Sequence, residues 1–300
     1  MKHAVIDLGT NTFHLLIAER DAAGAWQPLV RERIFVKLAE EGIERIGLPA
    51  FARGLEAVKL FRSQLERAGV APASVRAYGT AALRTAVNAP DFLRAVLEQT
   101  GIRAEAIDGL REARLIYQGV RQAVPFPDNR VLIMDIGGGS VEMVLADRTQ
   151  VYWQHSFPVG VAVLFHRFQK NDPIAPAEVD AVEHFLHAAM AGLWSSLQRY
   201  PAPTLIGAAG AFDIIDNLLL DPATKPPLYG WIPVSDFEPL YERVINSSLA
   251  EREQWQHLVP ERREMIVVGM ILIRTILQAG GMKEIYTSVY SMKEGMLAEY

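Results

Sequence analysis

The feature that most constrains this chain is a strand–turn–strand pattern that occurs twice. In the first copy, an apolar strand reaches Asp7, a turn follows over residues 9–12, and a second apolar strand continues from it. In the second copy, an apolar strand reaches Asp135, the turn covers residues 137–140, and another apolar strand follows. Aligning the two aspartates brings strand, glycine and hydroxyl residue into correspondence. A repeat at two distant places predicts two similar folding units in one chain.

Both turns have the composition of an anion-binding loop. Their glycines let backbone N–H groups approach an anion closely, and their hydroxyl side chains add hydrogen-bond donors. The predicted phosphate-binding residues are Gly9, Thr10, Asn11, Thr12, Gly137, Gly138, Gly139 and Ser140. Two such turns that face each other would clamp a phosphate, with Asp7 and Asp135 near a divalent cation. Two ordinary hairpins with glycine turns are the alternative.

Length and composition limit the class of protein. The chain has 300 residues, of which half are hydrophobic, so that two domains can each bury a core. The net charge of −5 disfavours a general nucleic-acid binder. The absence of cysteine excludes disulfides, thiolate catalysis and zinc–thiolate sites. The longest apolar stretch, residues 266–277, is too short to span a bilayer. We expect no signal peptide, because Asp7 interrupts the only early apolar run. We therefore expect a soluble, cytoplasmic protein.

Strands and helices alternate along the chain, which predicts α/β domains with mixed sheets. The proline-containing segment at 125–129 is predicted to be the hinge. The predicted domains are therefore residues 1–124, together with a C-terminal helix at about 291–300, and residues 125–290. Helices are predicted from Pro49 to a stop at Gly69, from Pro90 to Thr100 with a stop at Gly101, from Pro176 to about Tyr200, and from Pro260 to Ala279. A surface loop is predicted over residues 221–233.

One predicted helix, from about Leu110 to Ala123, carries an acidic residue on its apolar face. That face holds Glu112, Leu115, Ile116, Gly119 and Ala123, at helical spacing. Arg111 lies on the other face. A carboxylate in the first turn of a packed face is expected at the wall of a cleft, where the helix N-terminus favours its ionised form.

Six blocks of sequence together resemble one known family. They are residues 7–12, 79–84, 108–117, 135–142, 260–262 and 292–295. In combination they are similar to the exopolyphosphatase/guanosine pentaphosphate phosphohydrolase (Ppx/GppA) family of the actin-like ATPase superfamily. The resemblance covers nearly the whole chain. It implies an α/β fold of two ribonuclease H-like (actin-like ATPase) domains with a cleft between them.

The resemblance also implies a reaction and roles for particular residues. The reaction is Mg²⁺-dependent release of terminal phosphate from inorganic polyphosphate and/or guanosine pentaphosphate, with Mn²⁺ as an alternative ion. The family's catalytic base corresponds to Glu112, and Arg84 is expected to neutralise charge on the transferred group. Asp135 and Glu142 are expected to position the metal, directly or through water, with Asp7 near it. A homodimer is left open.

Several of these residues have a simpler interpretation. Arg84 could have no role beyond a local ion pair or helix cap, and Glu142 could be a solvated strand residue. His14, at the position that corresponds to Glu142, is interpreted as an ordinary strand residue. Residues 207–210 occupy the adenosine-loop position of the superfamily, yet they could merely turn a strand into a helix. The basic residues at 31–37 could line a path for a polyanion or mark an edge strand.

Two departures from the family leave other functions open. Members commonly have two adjacent acidic residues where this chain has Arg111 and Glu112. The sequence ends soon after the block at 292–295, so we expect the extra helical domains of longer relatives to be absent, which favours short polyphosphates or a nucleotide. The competing hypotheses are a kinase or ATPase on the same scaffold, and a non-catalytic sensor of guanosine tetraphosphate or pentaphosphate.

Overall fold

The computed structural model describes residues 1–300, and the chain divides into two compact units. The first unit comprises residues 1–115 and 292–300, and the second comprises residues 116–291. The strands are β1 (Lys2–Leu8), β2 (Thr12–Arg20), β3 (Trp26–Phe35), β4 (Arg76–Gly79), β5 (Ala104–Ala106), β6 (Val131–Ile136), β7 (Val141–Ala146), β8 (Val151–Phe157), β9 (Thr204–Ala208), β10 (Tyr229–Pro233) and β11 (Glu284–Ser288). The α-helices are α1 (Leu48–Ala68), α2 (Ala81–Thr85), α3 (Ala89–Thr100), α4 (Gly109–Ala123), α5 (Val161–Phe168), α6 (Pro176–Ala189), α7 (Ala191–Arg199), α8 (Gly210–Leu219), α9 (Val234–Ile245), α10 (Leu249–Arg252), α11 (Ile266–Gly280) and α12 (Met292–Leu297).

The first unit is built on a five-stranded sheet in the order β3-β2-β1-β4-β5. β1, β2 and β3 pair in antiparallel fashion, whereas β4 and β5 run parallel to β1. α1, α2 and α3 supply the helical part of its core, through buried residues such as Phe61, Leu83 and Phe92. α1 has Pro49 in its first turn and ends at Gly69, whose φ of 72° forms a left-handed cap. These are the start and stop that the sequence predicted for this helix.

The second unit repeats this topology and adds one strand. Its sheet has six strands in the order β10-β11-β9-β6-β7-β8. β6, β7 and β8 are antiparallel, and β9 and β11 continue parallel to β6. Strands β6, β7, β8, β9 and β11 therefore correspond in order and direction to β1, β2, β3, β4 and β5. The topology confirms the two similar folding units that the repeated pattern predicted.

The core of the second unit surrounds helix α11. Residues 266–273 of this helix are all buried, and it packs against α5, α6, α7, α8 and α9. Its one charged residue, Arg274, lies 3.1 Å from Glu238 and 3.8 Å from Glu183. None of the helices in the structure combines the length and apolarity that crossing a membrane requires.

Three predicted elements have different bounds in the structure. The long helix expected from Pro176 to about Tyr200 is two helices, α6 and α7, which separate at Met190. Met190 is fully buried with a φ of −107°, and Gly192 just beyond it weakens helix formation. The loop expected over 221–233 contains β10, because Ile232 and its neighbours pair with β11 at the edge of the sheet. Helix α11 begins at Ile266, after a 3-10 turn over Pro260–Arg262.

The division between the units falls within α4, after Leu115, whereas the sequence placed a hinge at 125–129. Residues 292–300, which include α12, group with the first unit. Within that unit α12 packs closely on α4, since a Cβ atom on Gly295 would collide with the carbonyl oxygen of Leu115.

Candidate active site

The first predicted phosphate loop connects β1 to β2 and is held by backbone hydrogen bonds. The N–H of Gly9 donates to the carbonyl oxygen of Thr12 at 3.1 Å, which closes the turn. The carbonyl oxygens of Thr10 and Asn11 accept from N–H groups of residues 36–38, at 2.7–3.0 Å. Because the C=O and N–H of one trans peptide point in opposite directions, the N–H groups of Asn11 and Thr12 are directed away from that segment. Two successive N–H groups that face the same side of a loop are suited to bind an anion.

The second predicted phosphate loop connects β6 to β7 and has the same construction. The N–H of Gly137 donates to the carbonyl oxygen of Ser140 at 2.9 Å. The carbonyl oxygens of residues 137–139 accept from N–H groups of residues 160–162 at 2.9–3.3 Å. The N–H groups of residues 138–140 are therefore directed away from the start of α5. A Cβ atom on Gly160 would collide with the backbone of Gly138, so this close support of the loop requires glycine.

Two carboxylates lie side by side where the second loop begins and ends. Asp135 on β6 and Glu142 on β7 are register partners, so their side chains project from the same face of the sheet. Glu142 is 1% exposed, which excludes the solvated alternative. Its Oε1 accepts hydrogen bonds from the hydroxyls of Ser140 and Ser156, both at 2.7 Å. Asp135 Oδ2 accepts from the hydroxyl of Ser291 at 2.5 Å.

The chemistry of this group of side chains fits a hard divalent cation. Like charges directly opposite each other on paired strands are destabilising, and burial increases that cost. The surrounding donors are carboxylate and hydroxyl oxygens, which Mg²⁺ prefers, and Mg²⁺ commonly binds through one or two carboxylates together with substrate phosphates. Asp135 and Glu142 are therefore suited to hold Mg²⁺. The structure has no group of three or more His, Asp or Glu side chains arranged to hold a metal ion.

The predicted base and the predicted arginine of the first unit are in direct contact. Arg84, in α2, places Nη1 3.0 Å from Glu112 Oε2 and 2.9 Å from the carbonyl oxygen of Ile107. Glu112 is 7% exposed in the first turn of α4. The N–H of Arg111 donates to Asp108 Oδ1 at 2.8 Å, as in a helix N-cap. The predicted α4 and the predicted burial of Glu112 on its packed face are thus confirmed.

Arg111, the departure from the family pattern, takes part in the packing of the C-terminal segment. Its Nη2 lies 2.5 Å from Glu299 Oε1. Partial burial lowers the pKa of Arg111, but a hydrogen bond with Tyr78 and the charge of Glu299 outweigh burial and raise the pKa. Arg31 makes a similar pair with the buried Glu294, at 3.0 Å. Arg111 and Arg31 therefore each bind a carboxylate of the terminal segment.

The turn at 207–210 packs against the strand that carries Asp135. Ala208, at the end of β9, is the register partner of Asp135. Ala209 and Gly210 both have positive φ, of 54° and 56°, and α8 begins at Gly210. A Cβ atom on Gly210 would lie 2.7 Å from the carbonyl oxygen of Ile136. Glycine at position 210 is therefore explained by the turn from β9 into α8, which lies next to the second loop.

Comparison with family models assigns residues 16–300 to the Ppx/GppA phosphatase family. The chain belongs to that family. Among solved structures, an exopolyphosphatase from Cytophaga hutchinsonii is 32% identical, with a TM-score of 0.94 over 99% of this chain and 97% of that one. A Ppx/GppA enzyme from Aquifex aeolicus is 23% identical, with a TM-score of 0.82 over 100% of this chain and 99% of that one. At that lower identity the likeness shows the fold alone.

Membership of the Ppx/GppA family confirms the resemblance, the actin-like α/β fold and the class of enzyme. The protein is a phosphohydrolase of the type that cleaves phosphoanhydrides. The structure also shows two site-adjacent residues that the sequence did not indicate, Ser156 and Ser291. Neither lies in a glycine-rich turn, and only the register of β8 on β7 brings Ser156 next to Glu142.

Proposed function

We propose that this Ppx/GppA protein is a Mg²⁺-dependent hydrolase that releases terminal phosphate from inorganic polyphosphate and/or guanosine pentaphosphate. The contact between buried Glu112 and Arg84 is the observation that carries the proposal. The relative from Cytophaga hutchinsonii is named an exopolyphosphatase, which supports polyphosphate as a substrate class. We expect the protein to act in the cytoplasm, with no nucleic-acid or membrane partner.

In the proposed reaction, water attacks the terminal phosphorus directly. Glu112 accepts a proton from the water as its oxygen bonds to phosphorus, and the bond from that phosphorus to the bridging oxygen breaks. The negative charge leaves on the shortened phosphate chain or nucleotide. The Arg84 contact holds the Glu112 carboxylate in one orientation, which a general base requires.

Arg84 has a second role in this scheme. Both of its observed contacts use Nη1, whereas a guanidinium carries five N–H donors in a planar fork. The other donors of Arg84 can bind equatorial oxygens of the transferred group. In phosphoryl transfer, positioning and electrostatic stabilisation supply most of the rate enhancement. One arginine therefore orients the base and neutralises the reacting phosphoryl group.

The phosphate loops and the carboxylate pair complete the proposal. The outward N–H groups at residues 11–12 and 138–140 would hold phosphoryl oxygens. Asp135 and Glu142 would hold Mg²⁺, which supplies charge neutralisation when bound, and Asp7 is expected near it. The action of both loops on one substrate stays a prediction from the repeated sequence pattern.

A panel of substrates tests the function. Phosphate release is measured with long-chain polyphosphate, tripolyphosphate, guanosine pentaphosphate and ATP, each with Mg²⁺ and no acceptor, and ATP turnover is measured again with an added phosphoryl acceptor. We expect release from at least one of the first three. Turnover of ATP alone, and only with an added acceptor, would indicate a kinase. Binding of a guanosine nucleotide without turnover under Mg²⁺ or Mn²⁺ would indicate the sensor.

Replacing the base tests the mechanism. We expect Glu112→Gln to lower kcat about 10²–10⁴-fold, because it removes general-base catalysis and keeps the shape of the side chain. KM should change little. Glu98→Gln, at an exposed position of α3, is the matched control and should leave both parameters unchanged. A parallel loss of binding and turnover in Glu112→Gln contradicts the assignment of the base.

A further inference from the structure

A serine outside both phosphate loops lies in the same row of side chains as the carboxylate pair. Ser156 on β8 is the register partner of Glu142 on β7, which is the register partner of Asp135 on β6. Register partners share a face of the sheet, so the three side chains form one row across three strands. The hydroxyl of Ser156 donates to Glu142 Oε1 at 2.7 Å. This residue belongs to none of the sequence blocks that resemble the family.

The same carboxylate oxygen also receives the hydroxyl of a loop residue. Ser140 donates to Glu142 Oε1 at 2.7 Å. A serine hydroxyl has one proton, so while Ser140 donates to Glu142 it has no proton for a phosphoryl oxygen. The proposed role of Ser140 as a donor to phosphate therefore requires its hydroxyl to leave Glu142.

That movement has a cost at Glu142. Glu142 is 1% exposed, and a buried carboxylate oxygen that loses a hydrogen bond is destabilised because water does not replace the donor. Ser156 is the second donor to this oxygen, and it lies on a strand rather than on the loop. Its contact with Glu142 does not depend on the position of the loop.

We propose that Ser156 is a positioning residue, which holds the Glu142 carboxylate in place while the Ser140 hydroxyl turns from Glu142 to a phosphoryl oxygen. The two serines share one acceptor so that the loop can change partner without displacing the carboxylate that holds the metal. The inference rests on the proposed phosphate and metal roles of the second loop. The new hydrogen-bond partner of the Ser140 hydroxyl is the phosphoryl oxygen that the loop binds.

The test measures metal binding rather than turnover. Mn²⁺ affinity is measured by electron paramagnetic resonance on the full chain, with and without the non-hydrolysable phosphate analogue methylenediphosphonate. With the analogue, we expect Ser156→Ala to bind Mn²⁺ about 10-fold or more weakly than the wild type, the usual loss for an outer-shell partner. Without the analogue, Ser140 still holds Glu142 and the loss should be much smaller.

Three further variants make the result specific. Ser156→Thr keeps the hydroxyl and should restore Mn²⁺ binding, which a role in packing alone does not predict. Ser195→Ala removes an exposed hydroxyl of α7, which donates to the carbonyl oxygen of Ala191 at 3.2 Å, and should have no effect. If Ser156→Ala is unfolded by circular dichroism, Ser156→Cys keeps the shape of the side chain with a weaker donor and takes its place.

The inference is overturned if the Ser156 variant binds Mn²⁺ like the wild type in the presence of the analogue. It is also overturned if Ser156→Thr is as weak as Ser156→Ala, or if the wild type binds no Mn²⁺. These measurements do not require turnover. An analogue-dependent loss in Ser156→Ala, combined with no phosphate release by the wild type from any substrate, would reject the proposed hydrolase and leave the role of Ser156 intact.

Discussion

The two hairpins share one backbone but carry different rows of side chains. In the first, Asp7 on β1 is opposite His14 on β2, which is opposite Arg33 on β3. In the second, the corresponding row is Asp135, Glu142 and Ser156. In the first row, the aspartate is followed by a histidine and an arginine, which are both basic residue types. In the second row, two carboxylates lie side by side.

This difference distinguishes the two loops in spite of their similar turns. Both turns close with a hydrogen bond from the first glycine to the carbonyl oxygen three residues later, at 3.1 and 2.9 Å. The N–H groups that suit phosphate are therefore a property of the shared backbone. Excess negative charge belongs to the second row alone. We therefore propose that the second hairpin holds the divalent cation and that Asp7 contributes less.

The largest effect should come from the position where the two rows differ most. Glu142→Gln removes one of the two facing carboxylates, and we expect Mn²⁺ affinity to fall by more than the ~10–100-fold that is typical of an outer-shell partner. His14→Gln, at the corresponding position of the first hairpin, should change it far less. Calorimetric titration with Mn²⁺ measures both. Equal losses in the two variants would contradict this difference between the hairpins and would indicate that the first hairpin also binds the cation.

An intermediate effect should follow from the different supports of the two turns. The second loop rests on the start of α5, where a Cβ atom on Gly160 has no room. We expect Gly160→Ala to lower the free energy of unfolding by about 1–3 kcal/mol, as overpacking usually does, and to weaken phosphate-analogue binding. Gly192→Ala is the matched control, because a Cβ atom there meets nothing within 4 Å. Urea denaturation measures the first effect, and an unaffected Gly160→Ala would contradict the role of this support.

The smallest effect concerns the turn between β2 and β3 and the corresponding turn between β7 and β8. Each of these turns contains an aspartate. Asp21 accepts N–H groups of Ala23 and Ala25 at 2.9 Å, and Asp147 accepts the hydroxyl of Tyr152 at 2.6 Å and the N–H of Thr149 at 2.7 Å. The Gln27 side chain is the largest cause that lowers the pKa of Asp21. The Tyr152 hydroxyl is the largest cause that lowers the pKa of Asp147, well below 3.8.

A carboxylate whose folded pKa is depressed stabilises the protein above its unfolded pKa, and that contribution is lost as the pH falls. Because Asp147 is only partly buried, we expect Asp147→Asn to cost only about 1 kcal/mol at pH 7, with the cost shrinking below about pH 4. Asp21→Asn should cost less. Urea denaturation at pH 7 and pH 3 checks both. A cost for Asp147→Asn that grew on acidification would contradict the depressed pKa.

Much of the candidate site could be predicted from the sequence because its signals are local. The spacing of apolar residues along α4 predicted that Glu112 is buried, and the structure confirms it. The glycine and hydroxyl residues after each apolar strand predicted both turns. Helix ends marked by Gly69 and Gly101 were also predictable, since glycine readily adopts the left-handed conformation that caps a helix. These properties depend on residues within one or two turns of each other.

The sequence by itself determined the duplication, the alternation of strands and helices, the two glycine-rich turns and the placement of Glu112 on a packed face. Tertiary structure decided which distant groups meet: Arg84 with Glu112, 28 residues apart, and Asp135 with Ser291, 156 residues apart. It also separated α6 from α7 at Met190 and paired β10 with β11. Strand register and helix packing depend on the whole core, so no local pattern of residues specifies them.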